Sequence, residues 1–425
     1  MELLVLLGVL LGLLAIGTPV AFALIASTLA VFLWVDIPII VLFQRMAAGI
    51  SVFSLMAIPF FVFAGDLMYR AGIAERLVKV ADGFLGRITG GLGQVAVGAS
   101  MMFGAVSGSA IASASAMGSA LTPLMKERGY DGDYSANVIT TAAIVGLLIP
   151  PSHNMIIYVA AAGGGISIGD LFLAGIVPGV LTGLFLMIVA WFIAKKRGYE
   201  KGIFPGWAVL IRAIIWAVPG IMTAIIIMGG ILSGIFTATE SSAIAVIYTI
   251  IIGALVYRTL GLKKFMETAK ESVKITAMVM LIISAATAFG YALAILQAPE
   301  QLATLITGTT SNPIFVLLIM NVILLLLGTF MDMSPLIVIM TPILLPIAVS
   351  VGIDPIHFGV IMMLNLGIGL VTPPIGAVLF VGSAVSKVPL EKMIKSIGPF
   401  YGALIISLLV ISFVPALSLT LPKIF

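Results

Sequence analysis

The chain has 425 residues, of which 61% are hydrophobic and 9% charged, and its mean hydropathy is +1.28. A water-soluble core does not reach such values, so composition excludes a soluble globular protein and points to an all-α polytopic membrane protein. The formal net charge of +4 informs by position rather than by sum, and the lack of cysteine excludes disulfides, thiolate metal sites and cysteine nucleophiles.

An apolar helix needs about 20 residues to cross the hydrocarbon, so charged residues punctuate the crossings. The first segment, MELLVLLGVLLGLLAIGTPVAFA, carries Glu2 where a leader peptide would be basic, and reads as a retained membrane helix. Ten crossings are expected: 3–17 and 18–35, divided at Gly17-Thr18-Pro19, then 50–69, 134–164, 169–194, 210–234, 237–257, 275–294, 356–386 and 397–416. Two stretches fit no simple crossing. Residues 88–125 run without a charged side chain and carry GAVSGSAIASASAMG, and 305–350 carry GTFMDMSPLIVIMTP. Small, polar turns in both predict re-entrant hairpins whose tips stop at mid-membrane inside protein.

This layout assigns every Lys and Arg to a side. All fall on one face except Arg45 and Lys423, so by the positive-inside rule that face is cytoplasmic and both termini are periplasmic. The first hairpin then enters from the cytoplasm and the second from outside. Trp191 and Trp207 flank the basic loop KKRGYEK as interfacial anchors would. Membrane lipids are expected partners, and nucleic acid is not.

Opposite entry suggests an internal repeat, and a shift of 223 residues reveals one. Pro123, Gly129, Asp131, Gly146, Leu147, Pro150 and Pro151 superpose on Pro346, Gly352, Asp354, Gly369, Leu370, Pro373 and Pro374 without a gap. Five crossings per copy is an odd number, so the second copy is inverted relative to the first. The chain divides into repeats 1–205 and 206–425. Each has scaffold helices, an arm helix, a hairpin and a broken helix.

Proline lacks an N–H and clashes with the preceding turn, so Pro150-Pro151 and Pro373-Pro374 should split 134–164 and 356–386 into half-helices. Unpaired backbone groups in lipid cost several kcal/mol each, about enough to require protein, water, an ion or a substrate to complete them. Half-helix C-termini at Ile149 and Thr372 offer carbonyls to a small hard cation, with hydroxyls of Ser107, Ser109, Ser152 and Thr372 nearby. N-termini near Ser109 and at Ser334-Pro335 offer N–H groups to a carboxylate. The competing reading of the serines is close helix packing.

The substrate candidates are Ser109, Ser152, His153, Asn154, Ser334 and Gly376. The ion candidates are Ser107, Gly108, Ile149, Pro150, Gly328, Thr329, Asp332, Thr372 and Pro373, with Glu240 and Ser113 as supports. Asp332 would cost about 2.5–3.5 kcal/mol facing lipid, so it should meet a partner or cavity, as site ligand or as helix cap. Glu240, in GIFTATESSAIA, reads equally as an ion or proton group and as a partner of Thr237, Thr239 and Ser241. His153 reads as a substrate or proton group, or as a satisfied polar residue. His357 reads as structural. Carbonyls and hydroxyls with few titratable groups favour Na⁺ over a proton relay, with no cofactor and no other metal.

These stretches resemble the large membrane subunit of TRAP transporters, the tripartite ATP-independent periplasmic systems. The resemblance spans the chain and rests on SGSAIASASAMG (107–118), IPPSHNMIIY (149–158), GIFTATESSA (234–243), GTFMDMSP (328–335) and GLVTPPIGAVLF (369–380). It implies an elevator-type, Na⁺-coupled importer in the bacterial inner membrane, whose moving domain holds both hairpins and both broken helices. It also implies two partners, a small four-helix membrane subunit and a periplasmic substrate-binding protein delivering an organic acid. Sialic acid is the expected cargo and a C4-dicarboxylate the alternative. Ser113 departs from the acidic residue common in that family, so a carboxylate role does not transfer to it. The chain begins with the large subunit itself, as in systems whose membrane components are separate polypeptides. An intramembrane enzyme fits poorly, with two histidines and no evident metal cluster or Ser-His pair. A passive anion channel would need neither a sodium gradient nor a binding protein.

Overall fold

The computed structural model describes residues 1–298, 300–301 and 312–424, the side chain of Val106 excepted. The start of the expected 305–350 hairpin therefore lies outside the described residues. The first helices are short: α1 (Glu2–Ala15), α2 (Val20–Trp34) and α3 (Ile39–Ile50). The break between α1 and α2 falls at Gly17, whose φ of +83° ends the first helix, and Pro19, which caps the second. A 3-10 turn, Phe53–Met56, leads into α4 (Ala57–Arg70), and Gly72 in the left-handed region turns the chain into α5 (Ile73–Leu85).

The first hairpin follows as α6 (Gly91–Ser107) and α7 (Ala110–Glu127), and then α8 (Gly132–Ala143) runs into a 3-10 turn, Ile144–Leu147. After the double proline the chain resumes as α9 (His153–Ala161), followed by α10 (Ile168–Lys196). The second half has α11 (Trp207–Leu232), α12 (Ala238–Ile251) with a π-turn at Ile252–Val256, and α13 (Leu262–Ile295). Its hairpin is α14 (Pro313–Gly328) and α15 (Met333–Ser350), and its broken helix is α16 (Pro355–Gly369) and α17 (Ala377–Ser386). The described chain closes with α18 (Leu390–Ser396), α19 (Gly398–Phe413) and α20 (Ala416–Ile424).

The 223-residue repeat is visible in these boundaries. Helices α7 and α15 begin and end 223 residues apart, and so do the starts of α8 and α16. Gly129 and Gly352, also 223 apart, both take positive φ, at +73° and +82°. Asp131 and Asp354 hold equivalent N-cap positions. The core of the molecule is the pair of broken helices. Every residue from Asp133 to Leu148 and from His357 to Val371 is buried, including the polar Ser135, Asn137, Thr140 and Thr141 of the first.

Length alone would find fewer crossings than sequence punctuation does. Among the described residues six helices can cross by length and composition, and α18 with α19, bent by 59°, makes a seventh. One of the seven, α15, is a hairpin arm, so six of the ten expected crossings pass, and two of the other four are cut at the double prolines. Two more, α1 and α2, have 14 and 15 residues and rise only about 22 Å. The crossing placed at 275–294 belongs to α13, whose 34 residues extend about 51 Å and begin in the charged stretch Lys263–Lys274. Proline and glycine are missing from its first 28 residues, so nothing stops the helix at the membrane edge.

Candidate functional site

Each hairpin tip sits against a helix break through contacts between backbones. A Cβ on Gly146 would lie 2.5 Å from Gly104 Cα, and a Cβ on Gly369 would lie 2.6 Å from Gly328 Cα. Only glycine permits such approach, and it brings the C-terminal end of α6 against that of the α8 segment, and α14 against α16. The tip of the first hairpin continues inward: Gly108, with φ +60°, would place a Cβ 3.0 Å from the Pro151 carbonyl. On its other side, a Cβ on Gly65 of α4 would meet the Ser107 carbonyl at 2.9 Å. Gly108 and Gly328 are ion candidates in the sequence, and Gly146 and Gly369 mark the repeat, whereas Gly65 and Gly104 carry no signal there beyond being small residues.

The breaks begin earlier than expected. The α8 segment ends at Leu147 and α16 at Gly369, not at Ile149 and Thr372. Ile149 and Thr372 each precede a proline, and a residue before proline is pushed out of the α region. Both Pro-Pro peptide bonds are cis. In the second break protein completes much of the exposed backbone. The Thr329 carbonyl accepts from Ile375 N at 3.2 Å, Leu370 O from Val378 N at 3.0 Å, and Val371 O from the Tyr401 hydroxyl at 2.5 Å. Thr372 donates its hydroxyl to Ile368 O at 2.7 Å.

Four helix N-termini follow the hairpin tips and the breaks. Ser109 caps α7, its Oγ accepting from Ala112 N at 3.3 Å, and Ser107 Oγ accepts from Ser109 N at 3.5 Å. Ser152 caps α9 by position, yet its Oγ is buried without a hydrogen-bond partner among the described residues. Asp332 is the N-cap of α15, where Ser334 was expected. The Asp332 side chain makes no capping hydrogen bond, and Pro335 in the third helical position is tolerated because the first N–H groups have no intrahelical acceptor. Gly376, with φ +51°, precedes α17.

The two halves meet here. Ser334 Oγ, on the first turn of α15, donates to Asn154 Oδ1, on the first turn of α9, at 3.1 Å. Tyr158 OH, further along α9, donates to Pro355 O at the start of α16, 2.6 Å away. Asn154 is buried and His153 half-buried, whereas Asp332 is exposed. The copies are thus packed unequally: Ser107, Gly108, Pro150 and Ser152 are buried, while Pro374 and Ile375 join Asp332 in the open.

The supports lie apart from one another. Ser113, one turn into α7, is fully buried and its Oγ lacks a partner among the described residues. Glu240 is exposed at the start of α12, where Thr237 N and Thr237 Oγ1 both donate to Oε2 at 2.8 Å and Glu240 N donates to Thr237 Oγ1 at 3.2 Å. That reciprocal pattern is a capping box, so of the expected partners Thr237 bonds Glu240, while Ser241 Oγ is buried without a partner among the described residues. His357 is buried, with Nε2 3.3 Å from Ser412 O. What converges at the centre is backbone and hydroxyl oxygen. Among the described residues no three of His, Asp and Glu gather at one point.

Hairpins seated on interrupted helices in two copies define a multi-pass helical transporter subunit. The family model for the tripartite ATP-independent periplasmic transporter DctM component matches residues 7–417, and the chain belongs to that family. It is a transporter permease of the inner membrane and not an enzyme, and the family works with a small membrane subunit and a periplasmic binding protein. The chain is similar to the sialic acid TRAP transporter large permease protein SiaM of Vibrio cholerae, 40% identical over 98% of this chain and 97% of that one. It is similar to the isethionate TRAP transporter permease protein DctMQ of Oleidesulfovibrio alaskensis, 40% identical over 95% of this chain and 64% of that one. It is also similar to the C4-dicarboxylate TRAP transporter large permease protein DctM of Pseudomonas aeruginosa, 40% identical over 87% and 86%. Among solved structures, the YdaH transporter of Alcanivorax borkumensis shares the fold, with TM-score 0.65 at 12% identity over 88% of each chain.

Proposed function

We propose that the chain is the translocating subunit of a Na⁺-coupled importer of an organic acid, working by an elevator movement of the domain that holds both hairpins and both broken helices. The observation that carries this reading is the pairing of helix ends by sign. Two pairs of C-terminal ends, α6 with the α8 segment and α14 with α16, are pressed together at glycines, and helix C-termini favour cations. Ser107, Gly108, Ile149 and Pro150 then serve one Na⁺, and Gly328, Thr329, Asp332, Thr372 and Pro373 a second. The N-terminal ends of α9 and α15, joined through Asn154 and Ser334, favour an anion. A carboxylate would lie among Ser109, Ser152, His153, Asn154, Ser334 and Gly376. The buried, unpartnered Ser152 Oγ supports a ligand there, since such a group otherwise costs about 1–3 kcal/mol.

The cargo is a sialic acid on this reading, delivered by the periplasmic binding protein, with both termini of the chain periplasmic. The C4-dicarboxylate alternative draws on a relative at the same 40% identity as the sialic acid relative. Uptake into proteoliposomes containing the full membrane complex, with the binding protein added, tests the reading. Accumulation that requires both an inward Na⁺ gradient and the binding protein is expected. Equal flux without either would identify a channel instead. Competition between unlabelled sialic acid and a C4-dicarboxylate decides the cargo.

A further inference from the structure

Away from the hairpins, α5 and α11 pack against one another and enclose a groove of about 650 Å³. They touch at both ends. A Cβ on Gly220 would lie 2.8 Å from Ile73 Cγ2, and Gly83 is pressed against Leu210. The pairings 73 with 220 and 83 with 210 make the two helices antiparallel. Between these contacts the wall carries Arg76 and Lys79 from α5 and Arg212 from α11, with Val209 and Trp216 beside them. Arg76 is committed to the fold: Nη1 donates to Gly72 O at 2.5 Å and Ala71 O at 3.2 Å, and the guanidinium lies 3.7 Å from the Tyr257 ring centre.

Lys79 and Arg212 are exposed and make no ion pair among the described residues. Two carboxylates share the groove, but Asp82 faces Arg128 at 4.0 Å, which leaves Glu75 against three cations. The outer rim is apolar: Val209 is 56% exposed, Ile215 64% and Trp216 47%. A cationic pocket opening onto an apolar, tryptophan-bearing wall matches a molecule with a phosphate at one end and hydrocarbon at the other. A free phosphate would meet the cations and leave the apolar wall uncovered.

We propose that this groove binds an anionic phospholipid, its phosphate held by Lys79 and Arg212 and its acyl chains laid along Val209 and Trp216. The position matters because α5 is the segment between α4 and the first hairpin. A lipid wedged between α5 and α11 bears on the segment that joins α4 to the first hairpin.

Native mass spectrometry of the full-length protein, offered equal amounts of phosphatidylglycerol and phosphatidylcholine, tests the proposal. Wild type is expected to retain phosphatidylglycerol about tenfold over phosphatidylcholine, falling to about twofold in the double variant Lys79→Gln/Arg212→Gln. The control Lys195→Gln/Lys196→Gln, also on exposed side chains, is expected to keep the full preference. Unchanged preference in the first variant overturns the proposal, and so does an equal loss in the control, which would mark generic surface charge. Displacement of phosphatidylglycerol by millimolar inorganic phosphate would also overturn it, in favour of a free anion. Both variants alter exposed side chains, and unaltered thermal unfolding confirms that a lost preference is a lost site.

Discussion

Ser334 and Asn154, 180 residues apart and from different halves of the chain, are joined by a 3.1 Å hydrogen bond between Ser334 Oγ and Asn154 Oδ1. It places the first turn of a hairpin helix from one copy against the first turn of a broken helix from the other. If that junction orients the substrate, removing either partner weakens binding by the same interaction. Ser334→Ala and Asn154→Ala are each expected to raise the half-saturating substrate concentration about fivefold, from a bond worth about 1 kcal/mol. The double variant is expected to do little more than either, and fully multiplicative losses in uptake assays would show that the two act separately.

Asp332 stands exposed at the cap of α15, among the groups proposed for the second cation. Asp332→Ala is expected to abolish Na⁺-dependent uptake while the variant still assembles with the small subunit. Normal Na⁺ dependence in that variant would remove Asp332 from the ion site.

The glycine contacts admit no side chain. Gly104→Ala would drive a methyl group into the Gly146 backbone, so it is expected to lower stability by about 1–3 kcal/mol and to suppress uptake together with it. Gly402→Ala, in α19, meets nothing within 4 Å and is expected to be neutral or slightly stabilising. Thermal unfolding of the two purified variants compares them directly, and equal melting would refute the backbone contact.

At the basic end, Arg197 donates to both oxygens of Asp133, at 3.0 and 2.9 Å, and to Asp131 Oδ2 at 2.8 Å. The Arg197 hydrogen bonds hold the Asp133 carboxyl down to about 2, and Tyr199 and Arg197 hold Asp131 below the ordinary carboxylate range. A folded value below the unfolded 3.8 means that this stabilisation is complete above that pH and is lost as pH falls toward about 2. Melting temperature is expected to decline between pH 4 and about 2 in wild type. A flatter profile is expected for Asp133→Asn, and parallel profiles would exclude the pair as the cause.

Glu240 completes the capping box of α12 in an exposed position. Glu240→Ala is expected to cost about 1 kcal/mol of stability and to leave the Na⁺ dependence of uptake unchanged. A lost or shifted Na⁺ dependence would return Glu240 to the translocation pathway.

The repeat, the hairpins and the breaks were legible because each rests on local chemistry: proline cannot continue a helix, and charged residues mark where the chain leaves the hydrocarbon. The first hairpin's cap at Ser109 was read correctly for the same reason. The second hairpin's helix has its N-cap at Asp332, two residues before Ser334, because the serine-before-proline start signal is a local preference that the backbone overrides here. Long-range contacts were out of reach. Nothing local announces that Asn154 meets Ser334, that Tyr401 covers the Val371 carbonyl, or that α13 runs unbroken for 34 residues. The glycine pairs lie between these cases, since their spacing was visible but their partners were not.

Because α6 and α8 touch main chain to main chain at Gly104 and Gly146, no rotamer separates a tip from its break. An interface of side chains can be loosened one methyl group at a time; this one has two settings, joined or parted. Gradual retuning toward a different cargo is therefore closed at the seam itself. On the proposed function it would proceed through a position among the carboxylate groups, such as His153, where a side chain can change without moving the spine behind it.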